Sequence, residues 1–367
     1  MRVGILTYQY AYNFGAVLQC IALQEAIKGL GAEVEVIHFY PQGMEPPPFW
    51  KGWGLRDGSF AGTAQRRVLQ FLKGPAMMRK FDDFRGDFMQ LTSRCYGASD
   101  VADMVECYDA IVAGSDQIWH LNRDAVYFME WGRKFDGKRI SYATCCGSDL
   151  QSEERLDIVA PWIRQVDCLS VRNEFSRKWI ERASGRAVDV VADPVLLSDL
   201  DFVRRQVLEV PKDYIFMYSL GDEIIGGHEK VIKQLRTRFG DIPVLAVVPS
   251  ATHPRKCPWA DIVIWDADPG EWLDLLVNSK YVYTDSFHAA VLALKYEKPL
   301  LAYYTDPVRA PRLIDLANRY AIDVAVVGSF REAVDKEFSI HLDYRRTKEM
   351  MKMHECQSME YLVCSLK

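Results

Sequence analysis

Tyr283-Thr284-Asp285-Ser286-Phe287-His288, with the apolar run Ala289 to Leu294 behind it, changes its period in the middle. Residues 280–283 favour a strand and the run after them suits a helix, so Asp285 and Ser286 fall at a strand-to-helix junction. In α/β proteins such junctions lie at the carboxyl ends of strands, where ligands bind. Asp285 or Ser286 can cap the new helix, whose first N–H groups carry partial positive charge and suit a phosphate or carboxylate. His288 would then sit one turn inside an anion site. The same six residues also describe a capped helix with a histidine packed beneath it, and the rest of the chain has to decide.

The change of period recurs along the chain. Residues 3–8 read as a strand, 9–15 as a connection, and Val17, Ile21, Leu23, Ala26, Ile27 and Leu30 recur at helical spacing before Gly31. With an alternating strand at 33–39, this is a parallel strand–helix–strand unit. Its connection holds Asn13, Phe14 and a lone Gly15. There is no Gly-x-Gly-x-x-Gly, so neither a nicotinamide nor a flavin cofactor is indicated. Residues 41–62 form a loop rich in proline and glycine with Phe49, Trp50, Trp53 and Phe60, which suits a linker or a surface for sugar rings or a membrane interface. A helix follows over 65–89, with a break at Gly74 and Pro75.

The strand 108–113 ends in Gly114-Ser115-Asp116-Gln117-Ile118-Trp119-His120. Here Asp116 could accept a hydroxyl proton, Gln117 could bond a sugar and Trp119 could stack on one; a capped turn explains the same residues. Strands at 139–146 and 168–172 flank a helix at 153–163, and a helix at 174–183 precedes a strand at 188–192. Arg172 falls at a strand end, as a surface arginine or as a partner for an anion. The second half restarts with strands at 214–220, 243–248, 261–264, 280–284 and 299–303, separated by helices near 226–239, 269–278, 287–296 and 311–320. This pattern predicts two doubly wound domains, 1–192 and 193–343, with ligands in the cleft between them. The helical segment within 344–367 carries Met350, Met353, Met359 and Leu362 and is predicted to pack on one domain.

Composition narrows the function classes. Of 367 residues 49% are hydrophobic and 26% charged, as in globular proteins, and the net charge of −5 argues against a general nucleic-acid partner. The nine cysteines form no Cys-x-x-Cys pair and the seven histidines show no metal-ligand spacing, so no metal is indicated. The chain lacks both a secretory leader pattern and an apolar run long enough to span a bilayer, which predicts a cytoplasmic protein.

Four stretches taken in order carry a resemblance: Asn13-Phe14-Gly15-Ala16-Val17-Leu18-Gln19, Gly114-Ser115-Asp116-Gln117-Ile118-Trp119, Ala192-Asp193-Pro194 and Thr284-Asp285-Ser286-Phe287-His288. The set, with Ser141-Tyr142-Ala143 and Ser170-Val171-Arg172, resembles the polysaccharide pyruvyl transferase family over most of residues 1–320. The resemblance implies an α/β fold of two facing Rossmann-like domains, like that of GT-B glycosyltransferases. It implies transfer of the pyruvyl group of phosphoenolpyruvate, as a donor substrate rather than a cofactor, onto two hydroxyls of a sugar in a surface polysaccharide, such as a capsule, or a lipid-linked precursor. A lipid-linked acceptor would bring the chain to the inner face of the cell membrane as a peripheral protein at most. His288 matches the family's histidine tied to donor binding or proton transfer. Some members carry arginine where this chain has Ser286, so another cation must take that part.

Ketal formation starts with protonation of the enol methylene and needs a general acid, for which His288 is suited. Asp116 or Asp285 could take the hydroxyl proton. The anionic donor needs cations or helix N–H groups, and Arg172, Arg309 and Arg312 are candidates beside Ser286. Asn13, Gly15, Ser115, Gln117 and Trp119 complete the predicted substrate contacts. The scaffold also suits a nucleotide-sugar glycosyltransferase, or a catalytically silent glycan-assembly protein.

Overall fold

The computed structural model describes residues 1–41, 60–120, 124–147, 153–207, 209–248, 257–305, 310–339 and 342–367, with the backbone alone for 60–73. Most of the aromatic loop and Arg309 therefore lie outside the described residues. β1 (Arg2–Leu6) leads into α1 (Phe14–Gly29), whose first turn is capped by Asn13 Oδ1 accepting the Ala16 N–H at 3.1 Å. β2 (Glu33–Val36), α2 (Phe60–Phe88), α3 (Ala98–Val105), β3 (Ala110–Asp116), β4 (Lys138–Thr144), α4 (Glu153–Ile163), β5 (Ser170–Val171), α5 (Glu174–Ser184) and β6 (Asp189–Val190) complete the first half. Its six strands pair in parallel in the order β2-β1-β3-β4-β5-β6. α2 is continuous through Pro75, against the predicted break: the proline removes one intrahelical donor without ending the helix.

The second half contains β7 (Ile215–Tyr218), α6 (His228–Phe239), β8 (Val244–Val247), β9 (Ile262–Ile264), α7 (Pro269–Asn278), β10 (Tyr281–Thr284), α8 (Phe287–Lys295), β11 (Leu300–Tyr303), α9 (Ala310–Tyr320), β12 (Val326–Val327) and α10 (Phe330–Asp335). Its sheet, also parallel, has the order β12-β11-β10-β7-β8-β9, with the strand order reversing between β7 and β10. In open parallel sheets ligands bind at such a reversal, outside the carboxyl ends of the strands.

The halves share one apolar core. α1 is buried on nearly every side, and its Phe14 ring stacks on Trp272 of α7 at 5.3 Å and 9°. A single cluster runs from Val3 and Ile5 of β1 through Val17 and Ile21 to Trp272, Leu276 and Ala289 to Leu294. An apolar junction of this kind resists the relative motion that polar domain contacts allow. α11 (Tyr344–Leu366) closes the back, and it packs on both halves rather than one. Tyr361 Oη donates to Ser141 O at 2.9 Å in the first half, and Thr347 Oγ1 donates to Tyr320 O at 3.1 Å in the second.

Candidate active site

Three strand tips of the first sheet and the β10–α8 junction of the second meet in one cluster. Arg172 follows β5, Asp193 follows β6, Asp116 ends β3, and His288 lies on the first turn of α8. Arg172 Nη1 donates to Asp193 Oδ2 at 2.7 Å and lies 3.3 Å from His288 Nε2, while Nη2 reaches Asp116 Oδ1 at 3.4 Å. His288 Nε2 is itself 3.4 Å from Asp193 Oδ2. The guanidinium stands over the Phe287 ring, with 4.4 Å from Cζ to the centroid.

Burial makes these contacts count. The Arg172 and Asp193 side chains are 1% and 2% exposed, His288 9% and Asp116 16%, so Asp116 is the member most open to solvent. Burial alone would raise the Asp193 carboxyl, yet His288 and Arg172 hold it well below the usual carboxylate range. Burial also opposes the Arg172 charge, and Asp193, with Cys145 and Asp116, more than offsets it. The backbone around Asp116 is strained: its φ is 74° and that of Ala143 on the neighbouring strand is 51°. Gly114, at φ 153°, has no room for a side chain, since a Cβ there would stand 1.9 Å from Tyr142 O. Strain of this kind persists where surrounding structure enforces it, commonly at functional sites.

His288 reaches the cluster because Gly15 lets it. A Cβ on Gly15 would lie 2.2 Å from His288 Nδ1 and 2.4 Å from Cγ, so α1 and α8 approach this closely only with glycine at that position. Gly15, predicted as a substrate contact, is in this structure the seat of the imidazole. Ser286 does cap α8, its Oγ accepting the Ala289 N–H at 3.4 Å, and Thr284 Oγ1 accepts the Ser286 N–H at 3.0 Å.

Other predicted contacts are placed differently. Trp119, expected to stack on a sugar, is fully buried: its Nε1 donates to Tyr127 O at 2.8 Å and its ring stacks on Phe128. Ser115 is also fully buried, its Oγ donating to Ala143 O at 2.8 Å and its N–H to Gln19 Oε1 at 3.0 Å. Asp285 is committed to the loop after β7, because its two oxygens accept the Leu220 N–H at 2.6 Å and the Gly221 N–H at 2.5 Å. Arg172, expected to meet a ligand anion, commits its charge to Asp193 and Asp116. Arg312 is half-buried on the first turn of α9, and Gln117, beside Asp116, is half-buried with its carbonyl accepting from Tyr8 Oη at 3.2 Å. Asp193 was not predicted as a site residue, although its Asp-Pro pair after a strand end marked the place. Among the described residues no group of three His, Cys, Asp or Glu side chains could hold a metal ion, and no helix is long and apolar enough to cross a membrane.

The model of the polysaccharide pyruvyl transferase family matches residues 13–307, a span that takes in every residue of the cluster. The chain belongs to this family. Among solved structures, UDP-GlcNAc 2-epimerase from Methanocaldococcus jannaschii is similar at 12% identity and TM-score 0.51, over 96% of this chain and 93% of that one. Arabidopsis thaliana UGT89C1 complexed with UDP is similar at 11% identity and TM-score 0.55, over 100% and 99%. UDP-N-acetylglucosamine 2-epimerase from Rickettsia bellii gives 8% and 0.51, over 99% and 96%. At such identities the likeness is one of fold, the two-sheet GT-B architecture. No curated protein is significantly similar in sequence. Within the family frame, the four motifs of the pyruvyl transferase sequence are the segments that surround the cluster: Gly15 seats His288, Asp116 and Asp193 flank Arg172, and Ser286 caps the helix that carries the imidazole.

Proposed function

We propose that this pyruvyl transferase moves the pyruvyl group of phosphoenolpyruvate onto two hydroxyls of one sugar, in a surface polysaccharide or its lipid-linked precursor. The products are a cyclic ketal and free phosphate. The observation that carries the reading is the pairing, through Arg172, of an imidazole from one half with a partly exposed carboxylate from the other. Acid and base thus stand on either side of one guanidinium, one from each half, as roles for general acid–base addition of a hydroxyl to an enol ether.

His288 gives a proton to the methylene carbon of the donor, leaving an oxocarbenium-like centre at the phosphate-bearing carbon. A sugar hydroxyl adds to that carbon and Asp116 takes its proton. Phosphate leaves with the C–O bonding pair, and the second hydroxyl closes the ring. Of the two hydroxyl protons released, one replaces that given to the new methyl group and the other leaves with phosphate, so the enzyme returns to its starting state. The donor's carboxylate and phosphate fall to the N–H groups of the first turn of α8, with Arg309 and Arg312 as the proposed cations in place of an arginine at 286. Asn13 and Gln117 are the proposed contacts for the acceptor sugar.

The family match over residues 13–307 favours ketal transfer over a nucleotide-sugar glycosyltransferase, with which the likeness is one of fold. The test is incubation with phosphoenolpyruvate and a diol-bearing sugar, following phosphate release and a new ketal methyl signal by NMR. Thermal stabilisation by a nucleotide sugar, with neither stabilisation nor turnover by phosphoenolpyruvate, would overturn the proposal.

A further inference from the structure

His288 Nε2, Asp193 Oδ2 and Arg172 Nη1 form a triangle with sides of 2.7 Å between Nη1 and Oδ2, 3.3 Å between Nη1 and Nε2, and 3.4 Å between Nε2 and Oδ2. Those sides set roughly 70° between Oδ2 and Nε2 as seen from Nη1, whereas the two hydrogens of a planar guanidinium nitrogen are about 120° apart. With one hydrogen aimed along the 2.7 Å contact, the other points about 50° away from Nε2, a bend at which hydrogen bonds are weak. Arg172 therefore commits Nη1 to Asp193. A remaining lone pair of Oδ2 is the better partner for Nε2, as a carboxylate oxygen accepts more than one hydrogen.

Asp193 is well fixed for such a role. Its Oδ1 accepts the Val195 N–H at 3.1 Å. The preceding residue is held through both of its backbone groups, with Ala192 N–H donating to Ser358 Oγ at 2.8 Å and Tyr142 Oη donating to Ala192 O at 3.0 Å. On the other edge of the imidazole, Nδ1 packs against α1 at Gly15, where a Cβ would stand 2.2 Å away, so the ring is held from both sides.

We propose that Asp193 is the positioning residue of the reaction described above: it accepts the Nε2–H of His288 and so fixes the tautomer and the ring orientation in which the imidazole acts. The inference rests on the ketal-transfer reading only for its catalytic half; the tautomer is a property of the resting protein. The charged groups around the imidazole are Arg172 and Asp193, with Asp116 behind Arg172, while Asp315, Arg319 and His354 line the small space beneath Asp193.

The experiment is nitrogen-15 NMR of protein labelled in the histidine rings, followed through a pH series to its alkaline end, with His288→Gln to assign the signal. The wild type is expected in the Nε2–H form, and Asp193→Asn in the Nδ1–H form or a mixture. The same substitution should lower kcat by about 10²- to 10⁴-fold while the KM for phosphoenolpyruvate changes less than about threefold, as expected when an orienting carboxylate is lost. A carboxylate that merely seated Arg172 would instead raise KM and leave the tautomer alone. An Nδ1–H wild type, or an Asp193→Asn enzyme with unchanged kcat, overturns the proposal. Should Asp193→Asn fail to fold, the wild-type tautomer decides by itself. A wild type that releases no phosphate from phosphoenolpyruvate sinks the ketal-transfer reading, while the NMR arm still tests Asp193.

Discussion

Replacing Gly15 by alanine adds one carbon, and its outcome depends on the sign of two competing effects. In an open helical position alanine is favoured over glycine by about 1 kcal/mol. At Gly15 the new Cβ would stand 2.2, 2.4 and 2.6 Å from Nδ1, Cγ and Cβ of His288, so ring or helix must retreat by about 1 Å to reach ordinary contact. The ring has nowhere to go without leaving Asp193 and Arg172, so overpacking should cost about 1–3 kcal/mol and exceed the gain in helix propensity. A misplacement of that size should also lower turnover by about 10²-fold. Urea unfolding and phosphate release measure the two parts. Gly29, in the same helix with nothing near its absent Cβ, is the control: Gly29→Ala should be neutral or stabilising. In a His288→Ala background the penalty at position 15 should vanish, giving a coupling of about 1–3 kcal/mol. A fully active and stable Gly15→Ala protein, or an equal penalty without the imidazole, refutes the argument.

Four further outcomes are expected. His288→Ala should abolish turnover while its far-UV spectrum and cooperative unfolding stay native; an active mutant would make His288 a packing residue. Asp116→Asn should lower kcat by about 10²- to 10⁴-fold, whereas Asp285→Asn should chiefly cost about 1–3 kcal/mol of stability by weakening two backbone contacts; the reverse pattern would exchange their roles. Trp119→Phe should lower stability by about 1–2 kcal/mol through the bond lost to Tyr127 O and leave the acceptor KM unchanged; a raised KM would restore it to the binding surface. Because the Asp193 carboxyl is held below its unfolded value, its contribution is complete above about pH 4 and is lost as pH falls towards the folded value. The stability difference between wild type and Asp193→Asn, measured by urea unfolding, should be constant near pH 6 and shrink below pH 4.

The fold could be read because parallel strands covered on both faces appear as short apolar runs, and those runs alternate with helix-length segments. Elements without such a signature were missed: α3 has eight residues, α10 six and β12 two. The site was legible as a set of strand tips but not as a set of contacts. Trp119 follows a polar turn, and only the three-dimensional course of the chain after β3 folds its ring inward against Phe128. Asp285 and Asp116 look alike as acidic residues at strand ends; which amides lie within reach separates them. The approach of Gly15 to His288, and of Arg172 to a histidine 116 positions away, depends on how the halves face each other, which no local pattern encodes.

The serine that anchors the Asp193 loop bears on when the protein becomes competent during its synthesis. Ala192 N–H bonds to Ser358 Oγ, a partner 166 positions later in the chain. At translation rates of about 10 residues per second, the first sheet emerges from the ribosome roughly a quarter of a minute before that anchor exists. Until α11 has been made and laid across both halves, the segment carrying Asp193 lacks one of its fixings, and a nascent chain should hold its first sheet without the fully assembled cluster of Arg172, Asp193 and His288.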